Sequence, residues 1–321
     1  MKSRFAAALV LALAVLGSDL HAQNSRDRNY PRVVNISYVE SPFNLQIMVM
    51  KERRMLEEAF ASRGIEVRWH TITSGADQTQ AMAAGSLDIA SVINSASVIL
   101  ANSAGNPVQI AALVSRPRQS FALMVGPAGP RSVRELKGKT VAGPKGTVLH
   151  QMLAAALDRE GMSLADLNFI QMGLPEARTA LLAGRVDGAL QAASLIVRNE
   201  EAGMRTLFTA DGYLSPLLFT AVRPGFARRY PELLDVYLDV QKAAYGWITA
   251  HTREAVDTGA RLQQISPEDG MKLFRWSGIA LVMAAEDLPA LEADVDFLYR
   301  LGMIDKKIRA AGMILPAAYG K

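Results

Sequence analysis

Short apolar runs and helical stripes take turns along the chain. Val33-Val34-Asn35-Ile36 reads as a short buried strand, followed by a loop at Ser41-Pro42. Leu45, Met48, Val49, Leu56, Ala59 and Phe60 then recur at helical spacing, with an interruption at Glu52 and a stop at Gly64. Ile65, Val67, Trp69 and Thr71 alternate with Glu66, Arg68 and His70, the period of a half-buried strand. Ser74-Gly75 breaks that strand, and a helix runs to Gly85. A further strand begins at Leu87-Asp88-Ile89 and another helix near Ser95. Strand and helix in alternation predict an α/β fold with parallel sheets and helical crossovers.

The pattern then repeats. Ala83-Ala84-Gly85-Ser86-Leu87-Asp88-Ile89-Ala90 has an echo in Leu182-Ala183-Gly184-Arg185-Val186-Asp187-Gly188-Ala189. Each reads as a helix end, a glycine just past it, and a strand with Asp near its start. At a similar offset, the opening strand and Ser41-Pro42 loop are matched by Thr140-Val141-Ala142 and Gly143-Pro144-Lys145-Gly146. The helix after that loop carries Leu149, Met152, Leu153, Ala156 and Leu157 on one stripe and ends at Gly161. Two similar lobes are expected. The apolar strands Phe121–Val125 and Leu217–Val222 are the natural crossings, and Ser132-x-x-Glu135 is a capping box opening the next lobe. The remainder reads as helical: one long segment from Pro231 to about Ala250, a start at Ser266-Pro267-Glu268-Asp269, and a last helix from Leu288 to Leu301. It is expected to pack back on the first lobe.

The first 22 residues are a separate object. Lys2 and Arg4 precede an apolar run from Phe5 to Leu16, then Gly17-Ser18-Asp19 and Leu20-His21-Ala22. That is the layout of a secretory signal peptide cleaved near Ala22; the run is too short for a spanning helix, which needs about 20 apolar residues. The 321 residues are 50% hydrophobic and 21% charged, an ordinary globular composition that excludes disorder and a polytopic membrane protein. The net charge of +4 is too small for a nucleic-acid binder. With no cysteine, disulfide scaffolds, cysteine-ligated metals, cysteine nucleophiles and a lipid anchor are all excluded.

Candidate chemistry lies in six loops that lead from a strand into a helix: Ser41–Asn44, Ser74–Ala76, Asn94–Ala96, Lys145–His150, Gly173–Glu176 and Gln191–Ser194. Open α/β sheets bind ligands at the carboxyl ends of their strands, and helix N-termini there offer N–H groups and partial positive charge to an anion. Any one of these serines also reads as a simple helix cap. His150 falls in a first helical turn, where it could donate to a ligand or simply pack. His70 and His251 read as structural, and Arg116 and Arg118 as solvated surface arginines. Gly143-Pro144-Lys145-Gly146-Thr147 lacks phosphate-loop spacing, and there is no H-E-x-x-H, G-x-S-x-G or G-x-G-x-x-G. The 14 methionines read as core packing rather than a metal site.

Ser74-Gly75, the Ala83–Ala90 segment, Ser132-Val133-Arg134-Glu135-Leu136-Lys137-Gly138-Lys139-Thr140-Val141-Ala142 and Lys145-Gly146-Thr147 together resemble the aliphatic sulfonate, nitrate and taurine class of ABC-transporter substrate-binding proteins. The wider family includes binders of thiamine-pyrimidine precursors. The resemblance covers nearly the whole chain after the leader. It implies the type II periplasmic-binding fold, a two-strand hinge, closure on ligand, and docking onto an ABC permease in the inner membrane. By position it places ligand contacts at Ser74, Gly75, Ser95, Ser120, Thr147 and His150. Sulfonate binders often carry Trp-Asp-Pro where this chain has Gln191-Ala192-Ala193-Ser194, a small neutral wall that suits a bulkier or less polar ligand body.

The combined expectation is a periplasmic solute-binding component of an ABC importer, with residues 1–22 as leader, 23–121 and 219–321 as one lobe, and 122–218 as the other. It captures a small organic anion, a sulfonate, carboxylate or similar, through Ser41, Phe43, Asn44, Ser74, Gly75, Ser95, Ser120, Thr147, His150, Gln191 and Ser194. Phe43 is assigned to the ligand's body. No catalytic residue, cofactor, metal or nucleic acid is expected, and a monomer suffices. The rival readings are an exported enzyme on the same fold and a ligand-sensing receptor not coupled to a transporter.

Overall fold

The computed structural model describes residues 30–320. The expected leader, with its cleavage near Ala22, lies outside the described residues. Ten strands form two five-stranded mixed sheets. The first contains β1 (Val33–Tyr38), β2 (Glu66–Thr71), β3 (Ile89–Asn94), β4 (Gln109–Ser115) and β10 (Leu218–Val222) in the order β2-β1-β3-β10-β4. The second contains β5 (Phe121–Val125), β6 (Thr140–Gly143), β7 (Asn168–Gln171), β8 (Gly188–Ala192) and β9 (Arg205–Thr209) in the order β7-β6-β8-β5-β9. In each sheet three parallel strands are followed by one antiparallel strand, β10 or β5, that arrives from the other lobe.

The sequence echo has a structural cause. Gly85 and Gly184 both hold positive φ, 75° and 65°, where a side chain would be strained. Three residues on, Asp88 accepts from the Asn35 N–H at 3.0 Å, and Asp187 accepts from the Thr140 N–H at 2.9 Å. Each Asp ties the start of its strand to the neighbouring parallel strand, so the same phrase occurs once per lobe.

Helices follow the sequence rhythm closely. α1 (Leu45–Glu52) and α2 (Met55–Ala61) divide the first stripe, broken by Arg54 at φ 53°. α3 (Gly75–Ala83) and α4 (Ser95–Ser103) flank the first sheet, while α5 (Val148–Arg159), α6 (Leu174–Leu182) and α7 (Ser194–Glu201) flank the second. The carboxy-terminal part forms α8 (Pro224–Arg229), α9 (Pro231–Ala250), α10 (Thr252–Gln263), α11 (Pro267–Ser277) and α12 (Asp287–Arg300). α9 and α10 pack on α1, and α12 packs on α4 with Leu291, Val295 and Leu298 in one apolar cluster with Ile99 and Phe219. α11 also reaches the second lobe, where Lys272 pairs with Glu200 on α7 at 3.3 Å.

Three readings are adjusted. The sheet changes between Ser115 and Phe121 and between Thr209 and Leu218, so Phe121 pairs in the second sheet and Leu218 in the first, each one residue from the expected boundary. The crossings are therefore the short connections next to these strands rather than the strands themselves. Ser132 and Glu135 do bond each other, but they open only a short 3-10 turn, because Thr140 is claimed at once by strand pairing. Arg116 is no solvated arginine: it grips buried Asp287 through two bonds of 3.0 and 2.5 Å at the start of the first crossing.

Candidate functional site

A cavity of about 120 Å³ lies where the lobes meet, at the carboxyl ends of the strands. Four helix N-termini border it: Ser74-Gly75 of α3, Asn94 of α4, Thr147-Val148 of α5, and Gly173-Leu174 of α6. Two come from each lobe. The local sequence explains part of the convergence: Ser74 and Asn94 cap the helices they open, while α5 and α6 follow turns at Gly146 and Gly173 without a side-chain cap. Ser74 Oγ accepts from the Asp77 N–H, and Asn94 Oδ1 accepts from the Ser97 N–H at 2.9 Å. α4 and α5 carry no acidic residue in their first turns, whereas α3 has Asp77 and α6 has Glu176. The first turns of α4 and α5 thus add no negative charge of their own at Asn94 and Thr147, where an anionic head is best accommodated, and the Asp294 carboxylate meets α4 outside the cavity, at Ser95 Oγ.

Among the described residues, no ionisable side chain lines the cavity. Its polar groups are hydroxyls and amides, including Ser41, whose buried Oγ has no hydrogen-bond partner among the described residues. Gln78 is buried, accepts from Ser37 Oγ at 2.9 Å and donates one N–H to Val92 O at 3.1 Å, leaving a second amide hydrogen for the cavity. The rest of the wall is apolar, notably Val39, Val92, Phe121, Leu149, Leu174 and Leu218. Gly75 allows the close approach of α3 and α4: a Cβ there would stand 2.4 Å from Ser97 Oγ.

Of the sequence-derived candidates, Ser41, Ser74, Gly75 and Thr147 line this cavity. The others lie elsewhere. Phe43 is 1% exposed and packs against α10 at Gly259, while Asn44 donates to Val39 O and Ser41 O, so both brace the first loop from behind. Ser95 Oγ turns away to donate to Asp294 Oδ2 at 3.0 Å. Ser120 is fully buried beside the cavity residue Phe121, with its carbonyl bonded to the Ala193 N–H. Gln191 donates to Leu174 O at 3.1 Å, and Ser194 begins α7 behind the cavity residue Ala192. His150 is buried against the Phe169 ring at 4.9 Å; burial, aided by Lys145, pushes its pKa down to about 4, so it is neutral near pH 7. His70 and His251 bond Asn35 and the Trp247 carbonyl, in keeping with structural roles.

Gln78 and the apolar wall were not singled out in the sequence. Gln78 had one legible signal, a polar residue on the buried stripe of α3. The apolar wall had none, since its members read as ordinary core.

The lobes also touch directly. Ser97 Oγ donates to Gly146 O at 3.2 Å, Arg300 grips Asp158 at 2.9 and 3.0 Å, and Gln151 Nε2 donates to Asp294 Oδ1 at 2.8 Å. The cleft is closed. Among the described residues no cluster of acidic and histidine side chains is arranged to hold a metal, and no helix is long and apolar enough to cross a membrane.

Residues 59–255 match the family model described as NMT1/THI5 like. The chain belongs to the NMT1/THI5-like family. Among relatives of this NMT1/THI5-like protein, a Bacillus subtilis (strain 168) protein provisionally named as aliphatic sulfonates-binding is 29% identical over 267 residues, covering 82% of this chain and 80% of the relative. The taurine-binding periplasmic protein of Escherichia coli (strain K12) is 26% identical over 226 residues, covering 67% and 65%. The fold matches that of the alkanesulfonate-binding protein from Xanthomonas axonopodis pv. citri bound to MOPS, with TM-score 0.79 at 20% identity over 89% of this chain and 98% of that one. The NMT1/THI5-like chain thus has the two-lobed periplasmic-binding fold that its sequence resemblance implied.

Proposed function

We propose that this protein is the periplasmic solute-binding component of an ABC importer and that it captures a compact sulfonate with an uncharged, apolar body. The observation that carries the reading is the closed interlobe cavity, bordered by four helix N-termini and free of any ionisable lining side chain. Helix N-termini and hydroxyls hold the anionic head, while Val39, Phe121, Leu149 and Leu174 surround the body. A carboxylate is lacking for an ammonium group, and burying an unpaired charge costs several kcal/mol. A cavity near 120 Å³ is comparable to the engineered cavity of about 150 Å³ that accepts benzene, so the ligand has on the order of six heavy atoms.

The names of the relatives support a sulfonate head and a periplasmic location, and the sequence resemblance implies delivery to a permease. The two lobes, 30–115 with 218–320 and 121–209, close as a monomer about the two crossings. In this reading the protein binds and releases its cargo unchanged, in line with the names of its relatives as binding proteins. The test is a thermal-shift and calorimetric panel of methane-, ethane- and propanesulfonate, taurine, acetate, nitrate and a pyrimidine. A sulfonate at one hundred times its Kd adds about 2.7 kcal/mol of stability. Hits confined to short alkanesulfonates, recovered unchanged, support the reading; a panel answered only by taurine or by pyrimidine overturns the uncharged body or the sulfonate head.

A further inference from the structure

Asp294 stands apart from the cavity yet bonds to both lobes beside it. It lies on α12, in the carboxy-terminal part, between two helices whose first turns border the ligand space. Its Oδ2 accepts from Ser95 Oγ at the start of α4, on the first lobe. Its Oδ1 accepts from Gln151 Nε2 on α5, on the second lobe, and the Gln151 N–H is bonded to the Thr147 carbonyl at the cavity edge. We propose that Asp294 is a positioning residue that clasps the two lobes in their closed arrangement.

The same contacts make the clasp sensitive to a proton. The carboxyl keeps partial exposure along a neighbouring groove, but the packing of α4 and α5 against it removes much of its water, which pushes its pKa up to about 6 despite the two donated bonds. Gln151 Oε1 is buried and has no hydrogen-bond partner among the described residues, so an added proton has an acceptor in the same pair. The protonated acid and the amide then exchange two bonds instead of one. Opening carries Gln151 away with the second lobe and returns the carboxyl to water and its ordinary range near 3.9. Closing therefore takes up a proton, and acid favours the closed state. From these two values the closed-to-open ratio rises about fourfold between pH 7.5 and 5.5, and about tenfold by pH 5.0.

Neighbouring charges leave this assignment to Asp294. Arg300 on α12 is held by Asp158 of α5, and Lys307 is held by Asp296 at 2.6 Å. α4 contributes no charged residue. On α5, His150 is kept down near 4, below the window that matters, with Lys145 preceding it. Tyr213 and Tyr299 line the groove beside Asp294, and Arg159 of α5 lies over the Tyr213 ring at 4.5 Å with its guanidinium donating to the Gly212 carbonyl.

The test needs no ligand, so it stands or falls separately from the sulfonate reading. The chain has no cysteine, so Ala84→Cys and Ala183→Cys, on exposed ends of α3 and α6, take spin labels cleanly. Pulsed electron-resonance distances are compared at pH 7.5, 5.5 and 5.0. In the parent the shorter-distance population rises as calculated. Asp294→Asn, a neutral mimic of the protonated acid, is closed at every pH, whereas Asp294→Ala is more open at every pH. Gln151→Ala, which leaves Asp294 intact, also shifts toward the open state and serves if Asp294→Ala fails to fold by circular dichroism. A parent distribution that ignores pH, or an Asp294→Asn protein that keeps the parent's response, overturns the proposal.

Discussion

Replacing Gly75 by alanine sets two physical effects against each other, and the geometry decides which one wins. Inside a helix, alanine is favoured over glycine by roughly 0.5–1 kcal/mol, and at Gly75, the first residue of α3, that gain applies at most in part. The added Cβ, however, would stand 2.4 Å from Ser97 Oγ, 2.8 Å from Ser97 Cβ and 2.9 Å from Asn94 Nδ2. Ser97 has little freedom to retreat: its N–H is bonded to Asn94 Oδ1, and its hydroxyl donates across the cleft to Gly146 O. Overpacking of this kind costs about 1–3 kcal/mol, so Gly75→Ala is expected to destabilise by about 1–2 kcal/mol net. Moving the α3 and α4 N-termini apart should also weaken capture of whichever sulfonate binds, by about tenfold for each 1.4 kcal/mol lost at the head site. Urea unfolding followed by tryptophan fluorescence reads the first effect, and calorimetry the second. Gly246→Ala is the control. Gly246 is exposed within α9, with nothing within 4 Å of a built Cβ, so it should gain about 0.5–1 kcal/mol from propensity alone. Adding Ser97→Gly to Gly75→Ala removes the two closest atoms and should recover part of the loss. A Gly75→Ala protein as stable as the parent, with unchanged affinity, refutes the close-approach argument.

Leu174→Ala removes three carbons from the cavity wall and should shift preference toward longer alkanesulfonates, read as a reordering of Kd values across the series; an unchanged order would place the body elsewhere. Asp287→Ala strips Arg116 of its partner and frees the Ala284 N–H, costing about 3 kcal/mol, the low end for a broken buried pair because Arg116 keeps some water contact; urea titration measures it. His150 is neutral in the folded protein down to about pH 4, whereas an unfolded histidine takes a proton near 6.5. Its contribution is thus complete above pH 6.5 and is lost as pH falls toward 4, by up to about 3 kcal/mol. His150→Gln should flatten that part of the melting temperature against pH, and an identical acid slope in both proteins would assign the loss to other groups.

The alternating architecture was legible because it depends on local rules. The long helix begins at Pro231 and ends at Ala250 as its start signal and stripe require, and Ser266 caps α11 through the Asp269 N–H. The lobe repeat was legible because Asp88 and Asp187 answer the same local need, tying a strand start to its neighbour. The loops bearing the site were legible as well, through the caps Ser74 and Asn94 and through the glycine and proline turns before α5 and α6. Which residue of each loop meets the cavity was not legible. Ser95 and Asn94 are adjacent and both polar, yet Asn94 borders the ligand space while Ser95 is drawn to Asp294, 199 residues along the chain. Phe43 looked like a ligand contact until α10 supplied Gly259, a gap that an aromatic ring fills. Spacing along a strand or helix fixes a side chain's direction relative to its own element. Its partner depends on how distant elements dock, and that is decided by shape and burial across the whole fold.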